Sequence, residues 1–253
     1  MGPKYVSLGP CAMGFFTMLG SISNVSFNDI QEIAGASAGA LLSFFICLGM
    51  TYDQIVDVSL RIDVPSFVKP NLITIFTKYG MTSVELVKKK LIEIANGDPT
   101  FHELQQSSNK KLFITAFCIS TGETVYFSVD THPTMKVIDA LSMSIAVPLL
   151  FEAISFENNL YIDGGLIENT PMKYFIDKEP KEVLSLSLSS TLDDDKITSF
   201  RQFVIKLILV CKKSIEYSST HMHTKYNIFQ FSLSHADKMK MLQEGVKYCK
   251  SDG

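Results

Sequence analysis

The sequence predicts an α/β fold, a sheet with helices on both faces in three layers. Three observations carry that prediction. Short runs rich in β-branched and apolar residues alternate with stretches of helical spacing along most of the chain. A block of small residues, from Ala34 to Ala40, lies between a short run bounded by Ile30 and Ile33 and a mostly apolar stretch of helical character. The composition suits a packed globular protein, with 46% hydrophobic residues, 18 Phe and 11 Met among 253 residues.

Taken in order, residues 4–8 form a first strand. Gly9, Pro10, Cys11, Ala12, Met13 and Gly14 form a turn, and residues 15–19 a short helix. A polar connector, 24–29, leads to the second strand at 30–33, and after the small-residue block a helix runs over 40–50. Thr51, with Asp53 nearby, restarts a helix over 52–60, where Ile55, Val56 and Leu60 recur at helical spacing. Pro65 and Pro70 break the region after that helix. Thr82-Ser83-Val84-Glu85 has the form of a capping box with Thr82 as N-cap. It opens a helix over 83–95 that buries Val84, Val87, Leu91 and Ile94 and turns Lys88, Lys89 and Lys90 mostly to water.

Asn96-Gly97-Asp98-Pro99 stops that helix, and 101–104 fit one more turn. Residues 111–119 and 124–129 read as adjacent strands joined by a turn. A helix over 134–144 ends before Pro148. Short strands come next at 160–162 and 183–188, then the longest helix at 200–217, a last strand at 228–231 and a closing helix at 236–250. No repeat or linker divides the chain, so residues 1–253 are expected as a single domain.

The formal net charge is −3 and no run of Lys or Arg is long enough for a nucleic-acid footprint. Five cysteines without a CxxC pair read as free thiols in a reducing compartment, and so a cytoplasmic chain. The apolar N-terminal run is broken by Gly9-Pro10 and reads as a strand more readily than as a signal peptide. Val6 stands where a myristoylation pattern needs Ser or Thr, and no apolar run is long enough to span a bilayer. Asp193, Asp194 and Asp195 read as a solvated loop, because an oxygen-ligand metal site needs spaced, converging ligands. The histidines, His221-Met222-His223 included, suit surface or capping roles, so no metal or cofactor is expected.

The stretch that bears on chemistry is Gly35-Ala36-Ser37-Ala38-Gly39. A serine on a sharp strand-to-helix turn, with glycines two positions to either side, has the form of a nucleophile elbow. The turn lifts Oγ clear of the backbone and aims a helix N-terminus at any anion forming there. The same residues also suit a tight turn with no chemistry. Asp163 ends a short strand and precedes Gly164 and Gly165. A carboxylate within reach of Ser37 Oγ accepts its proton and returns it to a leaving group, though at an ordinary pKa near about 4 it is a weaker base than imidazole. An Asx-type turn is the alternative reading of the same residues.

Three blocks, GPCAMG at 9–14, GASAG at 35–39 and YIDGGLIENTP at 161–171, resemble the patatin-like phospholipase family in order and spacing, over roughly residues 4–188. SIAVPLLF at 144–151 resembles it too. The resemblance implies a three-layer α/β/α patatin-like sheet and a lipid acyl hydrolase without metal or catalytic histidine. Ser37 would be the nucleophile and Asp163 the general base, supported by Gly35, Ala38, Gly39, Gly164 and Gly165, with Asn169 and Pro171 shaping the loop behind the aspartate. The implied partner is a phospholipid or another lipid ester, met at a membrane surface by a peripheral protein.

The chain departs from the family in the oxyanion loop. Gly9 and Gly14 are kept, but Pro10, Cys11 and Ala12 stand in the glycine-rich middle and Met13 in the basic position. Proline has no N–H to donate, and one lost oxyanion hydrogen bond costs about 3 kcal/mol. A weak or inactive member serving as a lipid-binding or interaction module is therefore the alternative to an active hydrolase.

Overall fold

The computed structural model describes residues 2–190, 197, 203 and 220–251. The main sheet holds β1 (Tyr5–Leu8), β2 (Glu32–Ala36), β4 (Lys111–Cys118), β5 (Glu123–Phe127), β7 (Ile154–Phe156), β8 (Asn159–Asp163), β9 (Val183–Ser190) and β10 (Thr220–Thr224). A small parallel pair joins β3 (Gly80–Thr82) to β6 (Leu149–Phe151). The helices are α1 (Phe15–Ser21), α2 (Ala38–Cys47), α3 (Tyr52–Arg61), α4 (Leu72–Lys78), α5 (Glu85–Ala95), α6 (Phe101–Ser108), α7 (Val137–Ser144) and α8 (His235–Ser251). The result is the mixed α/β sheet flanked by helices that the sequence predicts.

Strands β10, β9, β1, β2 and β4 run parallel in that spatial order, while β5 and β8 both pair antiparallel with β4. The central strands are buried on both sides, as parallel strands covered by crossovers must be. On β4, Leu112, Ile114, Ala116 and Cys118 point into the main core, while Phe113 joins Ala34, Tyr126, Met172 and Phe175 on the opposite face. This period of two places one buried layer on each side of the sheet.

Several boundaries differ from the expectation, each for a physical reason. Strand β2 begins at Glu32 and runs to Ala36, so the small residues themselves occupy the central strand. The run at 228–231 is not a strand. Ile228 and Phe229 are buried in a turn, and the Ile228 carbonyl accepts the Met13 amide at 2.8 Å. The strand of that region is instead β10, in the connector that holds His221 and His223; each histidine Nδ1 meets a β9 serine, Ser187 and Ser189 respectively. Apart from residue 203, the helix expected at 200–217 lies outside the described residues, as does the loop 193–195.

Thr82 does not cap a helix. It ends β3, and α5 starts at Glu85 without a side-chain cap from its N-cap residue. The carboxylate of Glu152, just beyond β6, replaces it by accepting from Ser83 Oγ at 2.5 Å and the Val84 amide at 3.2 Å. The same carboxylate pairs with Lys78 at 2.9 Å. Burial alone would raise the Glu152 pKa, but the Ser83, Lys78 and Val84 contacts outweigh it and hold the pKa below the ordinary value. A depressed carboxylate contributes stability above its unfolded pKa and loses it as pH falls through the folded value. Glu152→Ala is therefore expected to cost about 3 kcal/mol at neutral pH. That gap should narrow below about pH 4, as read by urea unfolding of both chains at each pH.

Candidate active site

Ser37 sits between the last residue of β2 and the first of α2 with φ 55° and ψ −128°. A non-glycine residue held there stores about 1–3 kcal/mol of backbone strain. The surroundings impose it. The buried Ser37 amide donates to Ser144 Oγ, at the C-terminal end of α7, at 2.9 Å. A Cβ on Gly39 would stand 2.4 Å from the Leu8 carbonyl oxygen and 2.5 Å from that of Gly9, so α2 and the end of β1 touch backbone to backbone. Gly35 lies in β2, in register with Leu8 on one side and Ile114 on the other.

The placement of Asp163 is set by the pairing along β4. Ile114 and Thr115 have β2 and β5 as neighbours, while Ala116, Phe117 and Cys118 have β5 and β8. Strand β5 takes one edge throughout, so β8 continues along the edge where β2 stops. Strand β2 ends with Ala36 opposite Thr115, and the antiparallel β8 arrives from the other direction to end with Asp163 opposite Ala116. The C-terminal ends of the two strands thus meet at adjacent register positions. Ser37 comes directly after one end and Asp163 is the other.

Asp163 is 3% exposed. Its Oδ1 accepts the Gly165 amide at 2.8 Å and its own amide donates to the Ala146 carbonyl at 3.0 Å. The Asx-type turn foreseen for this segment is therefore present, within the 3-10 turn that Gly164 opens. A Cβ on Gly165 would fall 2.3 Å from Pro10 Cβ, so the proline ring lies flush on the DGG turn.

In the Gly9–Gly14 loop, the amides of Gly9, Met13 and Gly14 donate to the carbonyls of Leu186, Ile228 and Cys11. Pro10 has no N–H. Among the described residues this leaves Cys11 and Ala12 as the loop amides without a backbone acceptor, and Ala12 holds φ 45°. Burial first, and then the Asp163 charge, push the Cys11 thiol far above its ordinary pKa. The thiol stays protonated and offers no competing nucleophile.

A cavity of about 170 Å³ opens over the elbow, lined by Ser37, Ala38, Ala12 and Met13 and by apolar side chains of α1, α2 and α5. Lys90, expected to face water with its neighbours, contributes to this lining, and Lys88 is half-buried against Asp139 at 2.8 Å. No histidine lines the cavity, and among the described residues no group of three or more His, Cys, Asp or Glu is placed to hold a metal ion. Ser144 had no predicted role; only its place in the SIAVPLLF block marked it. Ser144→Ala leaves a buried N–H unpaired at the elbow, with an expected cost of about 1–3 kcal/mol, read as a lowered urea midpoint.

Residues 6–176 match the Patatin family model, described as patatin-like phospholipase. The chain belongs to the patatin-like phospholipase family. It is similar to Uncharacterized protein R571 of Acanthamoeba polyphaga mimivirus, 25% identical over 249 residues that span 88% of this chain and 82% of that one. It is also similar to Probable lipid hydrolase 463L of Invertebrate iridescent virus 6, 28% identical over 199 residues covering 71% and 68% of the two chains. Among solved structures, VipD from Legionella pneumophila aligns with TM-score 0.65 at 14% identity, over 99% of this chain and 66% of that one. ExoU from Pseudomonas aeruginosa, solved in complex with SpcU, aligns with TM-score 0.54 at 14% identity, over 99% and 52%. At such identities the likeness is one of fold, and this patatin-like chain spans only part of either protein. Among its described residues no helix is long and apolar enough to cross a membrane.

Proposed function

We propose that this patatin-like chain hydrolyses fatty-acyl esters of phospholipids or related lipids through a dyad of Ser37 and Asp163. The observation that supports it best is the meeting of β2 and β8 end to end on one edge of β4, beneath an apolar cavity lined by Ser37. The acyl chain of the ester enters that cavity. Asp163 takes the proton of Ser37 Oγ as the oxygen attacks the carbonyl carbon. The oxyanion is met by the Ala38 amide at the start of α2 and by the Cys11 and Ala12 amides. Collapse expels the alcohol, which takes the proton back from Asp163. Water, deprotonated by Asp163, then attacks the acyl-enzyme, and collapse releases the fatty acid as Asp163 returns the proton to Ser37 Oγ. The iridescent-virus relative is itself a probable lipid hydrolase, which agrees with this reading.

A second reading, a catalytically weak lipid-binding or interaction module, has its own motive. Pro10 and the amides of Gly9, Met13 and Gly14 offer the oxyanion nothing. Labelling by a serine-reactive fluorophosphonate, with hydrolysis of a short-chain ester and of mixed phospholipids, separates the two. The wild-type chain is expected to label and hydrolyse and Ser37→Ala to do neither. Wild type that does no better than Ser37→Ala would overturn the hydrolase reading.

A further inference from the structure

A second groove adjoins the Ser37 cavity. Phe151 and Phe231 line both the Ser37 cavity and a neighbouring groove, whose other wall includes Pro65, Val68 and Pro70. The chain then turns outward as α4, where Leu72 is 68% exposed, Ile73 74% and Phe76 86%, with Tyr79 at 58% just beyond. Spacings of three and four set Leu72, Ile73 and Phe76 on one side of the helix. Helix α4 has no buried residue at all. Single exposed hydrophobics are ordinary, but a contiguous cluster of large ones marks a surface that something apolar covers.

The charge of the segment says what covers it. From Val64 to Val84 the chain carries Lys69 and Lys78 and not one Asp or Glu, although the whole chain has a formal net charge of −3. Lys69 is exposed, and Lys78 stays 57% exposed while its ammonium reaches Glu152. We propose that α4 and its flanks dock on an anionic lipid surface. Leu72, Ile73 and Phe76 enter the acyl boundary, Lys69 sits among the headgroups, Lys78 keeps its pair with Glu152, and the groove mouth faces the bilayer. A second copy fits less well, because a two-fold contact through this face leaves Lys69 with no acid between Val64 and Val84 to pair it. An interfacial apolar face flanked by basic residues binds membranes through just these two contributions. What the docking serves, delivery of lipid to Ser37, rests on the acyl-hydrolase reading; the docking itself does not.

Sedimentation of the Ser37→Ala chain with vesicles of phosphatidylcholine, with and without about one third phosphatidylserine, tests it free of turnover. The chain is expected to sediment with the anionic vesicles. Adding Phe76→Ser, at a side chain too exposed to support the fold, is expected to lower the partition at least about tenfold. Adding Lys69→Glu is expected to lower it about fivefold or more on anionic vesicles only. With Ser37 restored, Phe76→Ser should slow hydrolysis of vesicle phospholipid and leave a soluble butyrate ester untouched. Absent sedimentation with anionic vesicles, or a Phe76→Ser partition equal to the parent's, overturns the docking. So does a Phe76→Ser change that dissolves a dimer in sedimentation velocity while vesicle binding is unchanged. If neither ester nor phospholipid is turned over by the chain with Ser37, the hydrolase reading fails, and the sedimentation arms still decide the docking.

Discussion

Asn in place of Asp163 is expected to lower kcat/KM for a soluble ester by about 10²–10⁴-fold, the usual contribution of a positioned general base. The choice of asparagine matters. Asp163 Oδ1 accepts the Gly165 amide, and an asparagine oxygen accepts it equally well, so the turn beneath Pro10 is kept. What is lost is the negative charge and the ability to take a proton from Ser37 Oγ. A structural role for Asp163 predicts the opposite pattern, with a small effect of Asn and a large fall in the urea midpoint for Ala. Equal kcat/KM for the Asp163→Asn and wild-type chains, with unchanged midpoints, would remove Asp163 from the chemistry.

The sequence made the site legible in its residue types and silent about its geometry. GASAG and DGG lie 126 residues apart, by the serine and aspartate numbers (163 − 37). Nothing in either block says that β2 and β8 share one edge of β4, because strand order is a long-range property. The missed cap on α5 has the same origin. Glu152 supplies the acceptor for Val84 from 68 positions away, while the local pattern pointed to Thr82. Helix α4 escaped notice for a different reason. At seven residues between Pro70 and Gly80 it is too short for a helical period to stand out. Strand β10 did carry a signal in the alternation of exposed His221 and His223 with buried Met222 and Thr224, but its polar side chains masked it. The 228–231 run misled in the opposite sense. Its apolar content belongs to side chains that pack beside the oxyanion loop and the cavity, not to a ladder.

These mismatches share a cause with the site itself. The elbow, the DGG turn and the Gly9–Gly14 loop are each local motifs, but the contacts between them are made by backbone atoms and the Pro10 ring, which carry no pairing signature. Gly9 against the Asn169 carbonyl, the Pro10 ring on Gly165, and Gly39 against Leu8 and Gly9 are three such contacts. The departures from the family in the loop are therefore tested less by side-chain chemistry than by whether the three segments keep their spacing.

Gly39→Ala is the change that disturbs that spacing most. The added Cβ would meet the carbonyl oxygens of Leu8 and Gly9 at 2.4 and 2.5 Å, and both are backbone atoms at the end of a central strand. Neither can rotate away as a side chain would, so α2 and β1 must separate. The expected loss of stability is about 3 kcal/mol, the upper part of the range for overpacking. The catalytic loss is larger than that figure suggests. Gly9 immediately precedes the loop that offers the Cys11 and Ala12 amides, while Ala38 immediately precedes Gly39. Moving α2 from β1 pulls the two halves of the oxyanion site apart, and a displacement of about 1 Å is enough for roughly 10²-fold in kcat. Gly49→Ala is the matched control, at φ +77° just past α2 with nothing within 4 Å of the added carbon. It strains the backbone alone, so about 1 kcal/mol and an unchanged kcat are expected. Urea midpoints and kcat on a soluble ester, measured on the same preparations, distinguish the two. A Gly39→Ala chain with full kcat would place the oxyanion donors somewhere other than across the contact between α2 and β1.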